Sequence, residues 1–232
     1  MAAPAMIAGY PLFRPVAEHS LLVEFGDRID PEVHARVLHL DRALAARPFP
    51  GFAEAVPAYA ALLIRFDPLL ADHETARQAA TALLEAEGEA GTKPRLHEIP
   101  VCYDGDLAPD LAEVARLAGL SAEAVVAAHL AGDYQVYMYG FAPGYAYLAG
   151  VPEAIRLPRK PAAVRGIAAG SVVIAGPQCL VSTLTMPTGW WIIGRSSVRI
   201  LTGDEERPFL FDVGDRVRFR RISRAAFEAA GR

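Results

Sequence analysis

A run of alternating short apolar stretches and two helical periods before residue 103, followed by short apolar stretches punctuated by Gly and Pro after Tyr134, predicts an α+β chain in two parts. The first part, 1–93, reads as a ferredoxin-like α/β sandwich, and the second, 94–232, as a mainly β domain of the sandwich or small-barrel kind. The junction falls near Gly91–Pro94. A hydrophobic content of 53% with 22% charged residues supports a sizeable core and excludes a disordered chain.

The elements follow in order. Leu12 to Phe25 holds two apolar runs around Glu18-His19-Ser20, a strand, a turn and a strand. Asp30-Pro31 opens a helix, because Asp caps and Pro is tolerated at the first helical position. Val33, Val37, Leu40 and Leu44 then recur at helical spacing until Pro48-Phe49-Pro50-Gly51 stops it. Phe52–Val56 and Tyr59–Phe66 read as strands. Asp72 caps a second helix through Ala76, Ala79, Ala80, Leu83 and Leu84, and Leu96–Tyr103 is a further strand. The order β-β-α-β-β-α-β contains the β-α-β-β-α-β succession of a ferredoxin-like half. Asp110–Leu117 and Ser121–Leu130 are two short helices with acidic or hydroxyl N-terminal signals. Val136–Phe141, Gly170–Ala175, Trp190–Gly194, Val198–Leu201 and Arg216–Ile222 are short strands, and Ala225–Ala230 a closing helical turn.

Charge is uneven along the chain. Residues 1–133 carry 10 basic and 20 acidic side chains, net −10, whereas 134–203 carry six basic ones and only Glu153 as an acid, net +5. An acid-poor segment rich in Gly and Arg suits a small anionic ligand, although solvated arginines on a β-rich surface read the same way. A whole-chain pI of about 5.9 excludes the basic footprint of a nucleic-acid binder. No apolar run reaches the length of a membrane helix, and Met1–Tyr10 lacks the layout of a signal peptide. Cys102 and Cys179, without C-x-x-C spacing, argue against a disulfide framework or a zinc site. The expected location is the cytoplasm.

Several chemistries are absent. The only lysines, Lys93 and Lys160, do not follow a phosphate-cradling glycine loop, so this chain is not expected to bind ATP. His34 and His39 lie five apart and share no helix face, so they read as solvated helix surface and no metal is expected. His129 ends a helix where the basic segment begins. It is either an acid, base or donor toward a ligand or a helix-end histidine stabilised by the dipole. Phe141-Ala142-Pro143-Gly144 is a rigid turn able to point amides at an anion, and Arg195 after Gly194 is either a ligand clamp or a strand-end ion pair.

Three blocks go beyond composition: Tyr134–Leu148 with its Gly140-Phe141-Ala142-Pro143-Gly144 core, Leu157-Pro158-Arg159-Lys160 with Ala169–Gln178, and Pro187–Arg195. Together they resemble the allophanate-hydrolase-subunit-1 family, the KipI family, over about Arg14 to Ile222; Gly214–Phe219 adds weaker support. The resemblance implies a ferredoxin-like N-terminal domain and a cyclophilin-like C-terminal β-barrel. It implies a non-ATP-binding B-type subunit of an ATP-dependent 5-oxoprolinase, opening 5-oxoproline to L-glutamate and inactive without its partners. Those partners would be a C-type, KipA-like subunit and an A-type, LamB/YcsF subunit, with ATP and Mg bound by them and no cofactor on this chain. It places His129, Arg195 and Gln178 as candidate catalytic residues, and Gly140, Phe141, Pro143, Gly144, Gly189 and Trp190 as candidate substrate-binding positions. Alternatives within the resemblance are an inhibitor of a sensor histidine kinase and a urea-carboxylase-like carboxyltransferase subunit. The sequence departs from the family at Cys179–Thr183, Thr188 and Ala163–Arg165.

Overall fold

The computed structural model describes residues 9–86 and 94–231. Met1–Tyr10 and the Gly91–Pro94 junction therefore lie largely outside the described residues. The chain divides into two compact units, Met1–Lys93 and Pro94–Arg232.

In the first unit, β1 (Leu12–Val16), β2 (Ser20–Glu24), β3 (Phe52–Pro57) and β4 (Ala61–Phe66) form an antiparallel sheet in the order β1-β2-β4-β3. Alternation on β2 and β4 turns Leu21, Val23, Leu62 and Ile64 to one face. There they meet Val33, Val37, Leu40 and Leu44 of α1 (Pro31–Ala46) and Ala76, Ala80 and Leu83 of α2 (His73–Glu85). The Asp30 carboxylate accepts from the amides of Glu32 and Val33, and that of Asp72 from Thr75 at 2.8 Å. Each such cap contributes about 1 kcal/mol. His34 is a correction to the sequence reading: it is fully buried, as Arg36 nearly is, because burial on α1 extends well round the helix.

The strand expected to complete a ferredoxin-like succession, β5 (Leu96–Cys102), belongs to the second unit; in the first sheet β1 occupies the edge beside β2. The second unit is built on a closed seven-stranded barrel in the order β10-β7-β6-β13-β5-β12-β9. Its strands are β5, β6 (Tyr134–Tyr139), β7 (Ala146–Ala149), β9 (Ser171–Ala175), β10 (Gln178–Val181), β12 (Trp191–Ser196) and β13 (Arg216–Arg221). Among the described residues, only β5 and β13 pair in parallel. A two-stranded ribbon of β8 (Val164–Ile167) and β11 (Met186–Thr188) lies outside the barrel sheet. Val172, Ile174, Cys179, Val181 and Ile193 share one core with Val125 and Val126, whereas Val173, Ala175, Leu180 and Ile192 share another with Ile167 and Met186 of the ribbon. Covered on both faces, β9 is apolar after Ser171 without alternation.

Helices α3 (Leu111–Ala118) and α4 (Ala122–Ala131) pack on the barrel core, and α5 (Arg224–Ala230) closes the chain, capped by Ser223. The Asp215 carboxylate in Gly214-Asp215 ties the barrel edge together. Burial opposes its charge, but hydrogen bonds from the Asp212 amide, His97 and the Arg95 amide outweigh that and hold it below the usual carboxylate range. Val198–Leu201 is not the expected strand. Only Leu201 makes a bridge, to Phe209, and the segment instead walls a cavity. β7, β8, β10 and β11, of three or four residues, are too short to separate from turns in the sequence.

Candidate functional site

The turn after β6 is under backbone strain. Phe141 has φ 68°, and the Ala142 amide bonds back to the Gly140 carbonyl at 2.8 Å. A positive φ at an aromatic residue costs about 1–2 kcal/mol. It persists because the Tyr145 amide donates to the Ala142 carbonyl at 3.1 Å, the Gly140 amide to the Tyr145 carbonyl at 3.2 Å, and the Thr183 hydroxyl to the Pro143 carbonyl at 2.8 Å. Gly144, also at φ 68°, lets the turn lie against Leu201, where a Cβ would come within 2.8 Å of Cδ2. The strain sets the Phe141 ring out into solvent, 73% exposed.

Beside this turn lies a cavity of about 440 Å³ lined by Gly170, Thr183, Arg195, Arg199, Leu201 and Phe227, among others. Thr183 and Leu201 belong to both features, so the turn and Arg195 meet at one end of the barrel. Arg195 is half-buried on β12. Its Nε donates to the Ala169 carbonyl at 3.1 Å and its guanidinium stands 5.9 Å from the Phe227 ring. Gly170 (φ 83°) makes this corner possible, since a Cβ there would meet the Ser196 carbonyl at 2.3 Å. Among the described residues, no carboxylate stands within ion-pair distance of Arg195 or Arg199.

The other sequence-predicted positions lie elsewhere. Trp190 is buried, its ring 5.9 Å from Tyr147 and 5.7 Å from the Arg159 guanidinium. Tyr147 leads on to Tyr145 at 5.5 Å and Tyr145 to Phe141 at 5.4 Å, a row of rings running back to the strained turn. Burial pushes the Tyr145 hydroxyl up to about 12. Gly189 accepts from the Lys160 amide at 2.7 Å, Trp191 Nε1 donates to the Pro158 carbonyl, and Lys160 pairs with Asp110. These bonds pin the 158–160 segment, with Arg159 exposed above Trp190. Gln178 starts β10, half-buried between Ala149 and Ala175. The cavity is reached four residues later at Ser182, about 13 Å along an extended strand.

His129 corrects the sequence reading of a proton shuttle. It is fully buried, with Nδ1 hydrogen-bonded to the Tyr103 hydroxyl at 2.8 Å, Nε2 3.6 Å from Cys179 Sγ, and the Phe219 ring 4.5 Å away. A neutral imidazole has one donor and one acceptor, and these two partners take both. Burial pushes its pKa down to about 3, and the Cys179 thiol beside it up. Neither group is in a position to exchange a proton with a ligand. Thr183, Arg199 and Phe227 carry no local motif that singles them out in the sequence. Among the described residues, no group of three or more His, Cys, Asp or Glu side chains could hold a metal ion, and no single helix is long and apolar enough to cross a membrane.

Residues 11–211 match the family model of the carboxyltransferase domain, subdomains C and D. The chain belongs to that family. Within it, the chain is 36% identical over 225 residues to the B-type subunit of 5-oxoprolinase from Bacillus subtilis (strain 168), covering 92% of this chain and 94% of that one. The carboxyltransferase-domain fold also superposes on the crystal structure of TTHA0988 with a TM-score of 0.78 at 39% identity, over 88% of this chain. This chain spans 40% of that protein's length. A TM-score of 0.75 relates it to urea amidolyase of Kluyveromyces lactis over 94% of this chain and 15% of that one, where 15% identity leaves the fold alone in common.

Proposed function

We propose that this chain is the non-ATP-binding subunit of an ATP-dependent 5-oxoprolinase complex that opens 5-oxoproline to L-glutamate, and that its Arg195 cavity holds the substrate carboxylate. The observation that carries the reading is the cavity's chemistry. Two arginines, Arg195 and Arg199, line a space with no carboxylate among its described lining residues, at the end of the barrel where the Gly140–Gly144 turn abuts. The likeness to a B-type 5-oxoprolinase subunit over nearly the whole of both chains supports the substrate.

Opening a lactam breaks amide resonance, which makes coupling to ATP on another subunit physically sensible. This chain has no loop to cradle the nucleotide's phosphates. Its part is to bind and orient. The Arg195 guanidinium, set on a barrel strand and braced by the Ala169 carbonyl, presents its remaining N–H groups to the carboxylate. The rigid turn from Gly140 to Gly144 borders the bound ring, and exposed Phe141 stands where a partner chain would close the site. Gln178 and His129 are left out of this site, the first by distance along its strand and the second by burial. The partners in this reading are a C-type, KipA-like subunit and an A-type, LamB/YcsF subunit, which carry ATP and Mg in the cytoplasm.

Reconstitution tests it. The three chains together should convert 5-oxoproline to glutamate with ATP consumption, and omission of this chain should abolish the conversion. Full activity without it, or Mg-dependent ATP turnover by this chain alone, would overturn the reading.

A further inference from the structure

We infer that helix α5 forms the closing wall of the Arg195 cavity, and that its Phe227 makes the cavity selective for carboxylates carrying a compact apolar body over bare anions. The inference rests on the reading of this cavity as the carboxylate site and adds to it the ligand class and the residue that sets it.

The cavity is far larger than a carboxylate needs, about 440 Å³, within the range of small-molecule sites. Its lining is divided. One part is cationic, with Arg195 and Arg199; the other is apolar, with Leu201 and Phe227, while Ile200 and Val198 pack into the barrel core behind it. The hydroxyls between them are largely committed. Ser182 Oγ donates to the Ala168 carbonyl and accepts from the Ser171 amide, Thr183 Oγ1 donates to the Pro143 carbonyl, and Ser196 Oγ accepts from the Val198 amide. What is left to a ligand is donors from the guanidinium groups, the Ser197 hydroxyl and an apolar wall, with few acceptors. A sugar or other polyol would leave most of its several hydroxyl protons unpaired there, whereas a carboxylate on a small ring, with at most one ring N–H to place against Ser197, matches both halves.

Phe227 is the residue that closes this wall. In α5 it alone is half-buried while the rest of the helix is exposed, and its ring faces the Arg195 guanidinium. Apart from that ring and some packing on β5, the side-chain tie from α5 to the rest of the unit is the surface ion pair of Arg224 with Asp106, since the Ser223 cap and the Arg224–Glu228 pair lie within the helix itself. A surface pair of this kind anchors weakly. The helix can therefore shift to admit a ring, and the Phe227 side chain then covers the ligand's apolar face. Nothing in the helix's packing requires a phenyl group for folding, since no residue of α5 is buried.

The test is an amide-resolved NMR titration of the full chain with four probes: cyclopentanecarboxylate, acetate, cyclopentylmethanol and inorganic phosphate. Cyclopentanecarboxylate should move the amides of Gly170, Ser182, Arg195, Ser197 and Phe227, and bind about tenfold more tightly than acetate, the equivalent of burying part of a small ring. Cyclopentylmethanol, of the same shape without the charge, should not bind, and phosphate should bind more weakly than the ring carboxylate. Phe227→Ala should cut the ring preference to about twofold while acetate affinity holds, and Phe227→Leu should keep most of it. Arg195→Gln should lose both carboxylates. Equal binding of ring carboxylate and acetate, tighter binding of phosphate, or a ring preference untouched by Phe227→Ala would each overturn the inference. It fails separately from the functional reading. A reconstituted complex that still needs Arg195 for turnover, with a ring preference indifferent to Phe227, removes only the inference. A Phe227-dependent preference in a chain whose complex never opens 5-oxoproline removes only the reaction.

Discussion

Replacing His129 by Asn should flatten the acid limb of the stability curve. In the folded chain the imidazole is fully buried between Tyr103, Tyr134, Phe219 and Cys179, and burial lowers its pKa to about 3. In the unfolded chain it titrates near 6.5. Above pH 6.5 the ring is neutral in both states and contributes no pH dependence. As pH falls below 6.5 the unfolded state takes up a proton that the folded state refuses, so stability falls, and it continues to fall until about pH 3. Each unit of separation is worth about 1.4 kcal/mol, so at pH 5 the loss from this one group is roughly 2 kcal/mol. Asp41, whose carboxyl burial pushes up to about 6, titrates in the same window, but it and the other histidines are common to both proteins. Urea unfolding of wild type and His129→Asn at pH 7.5, 6.5, 5.5 and 5.0, at matched ionic strength, isolates this contribution. Asn keeps an acceptor within reach of the Tyr103 hydroxyl, and any fixed cost of the smaller side chain shifts all pH values equally. Parallel pH curves for the two proteins would refute the buried, neutral histidine and reopen a proton-transfer role.

Two further outcomes follow from the backbone. Gly170→Ala should destabilise the chain by at least about 2 kcal/mol in chemical denaturation, because a Cβ at φ 83° would lie 2.3 Å from the Ser196 carbonyl. At Phe141, where φ is 68°, Val should be about 1–2 kcal/mol less stable than Asn although both remove the ring, since a β-branched residue resists that backbone region and Asn tolerates it.

Most of the element pattern is legible where sequence carries long-period or capping signals. Asp30-Pro31 and Asp72 start their helices where the side chains cap them, and Leu21, Val23, Leu62 and Ile64 alternate as their strands require. Legibility fails where tertiary cover overrides period. β9 is apolar after Ser171 because a ribbon covers its outer face, and β10 sits in a stretch that departs from the resembled family, with Cys179 packed inward against His129. The same holds for the site. Arg195 and the Gly140–Gly144 turn are visible as local motifs, but their meeting depends on Thr183 and Leu201, far apart in sequence. Phe227 has no local signal at all. For His129 a helix-end position suggests exposure, while the aromatic cage that buries it comes from Tyr134 of β6, Phe219 of β13 and Tyr103 just after β5.

Kinetics of the reconstituted complex on 5-oxoproline test most directly whether Arg195 is the carboxylate clamp. Its backbone is fixed by pairing with Cys102 and Ser171 and its Nε by the Ala169 carbonyl, so the side chain is held before the ligand arrives. Arg195→Ala should lower kcat/KM by the equivalent of about 2–4 kcal/mol, and Arg195→Lys should fail to restore it, because an ammonium lacks the planar fork. The melting temperatures of this chain's variants should stay close to that of wild type. A kcat/KM for Arg195→Ala equal to wild type, with any loss appearing only in stability, would contradict the clamp and leave this arginine a structural residue of the barrel.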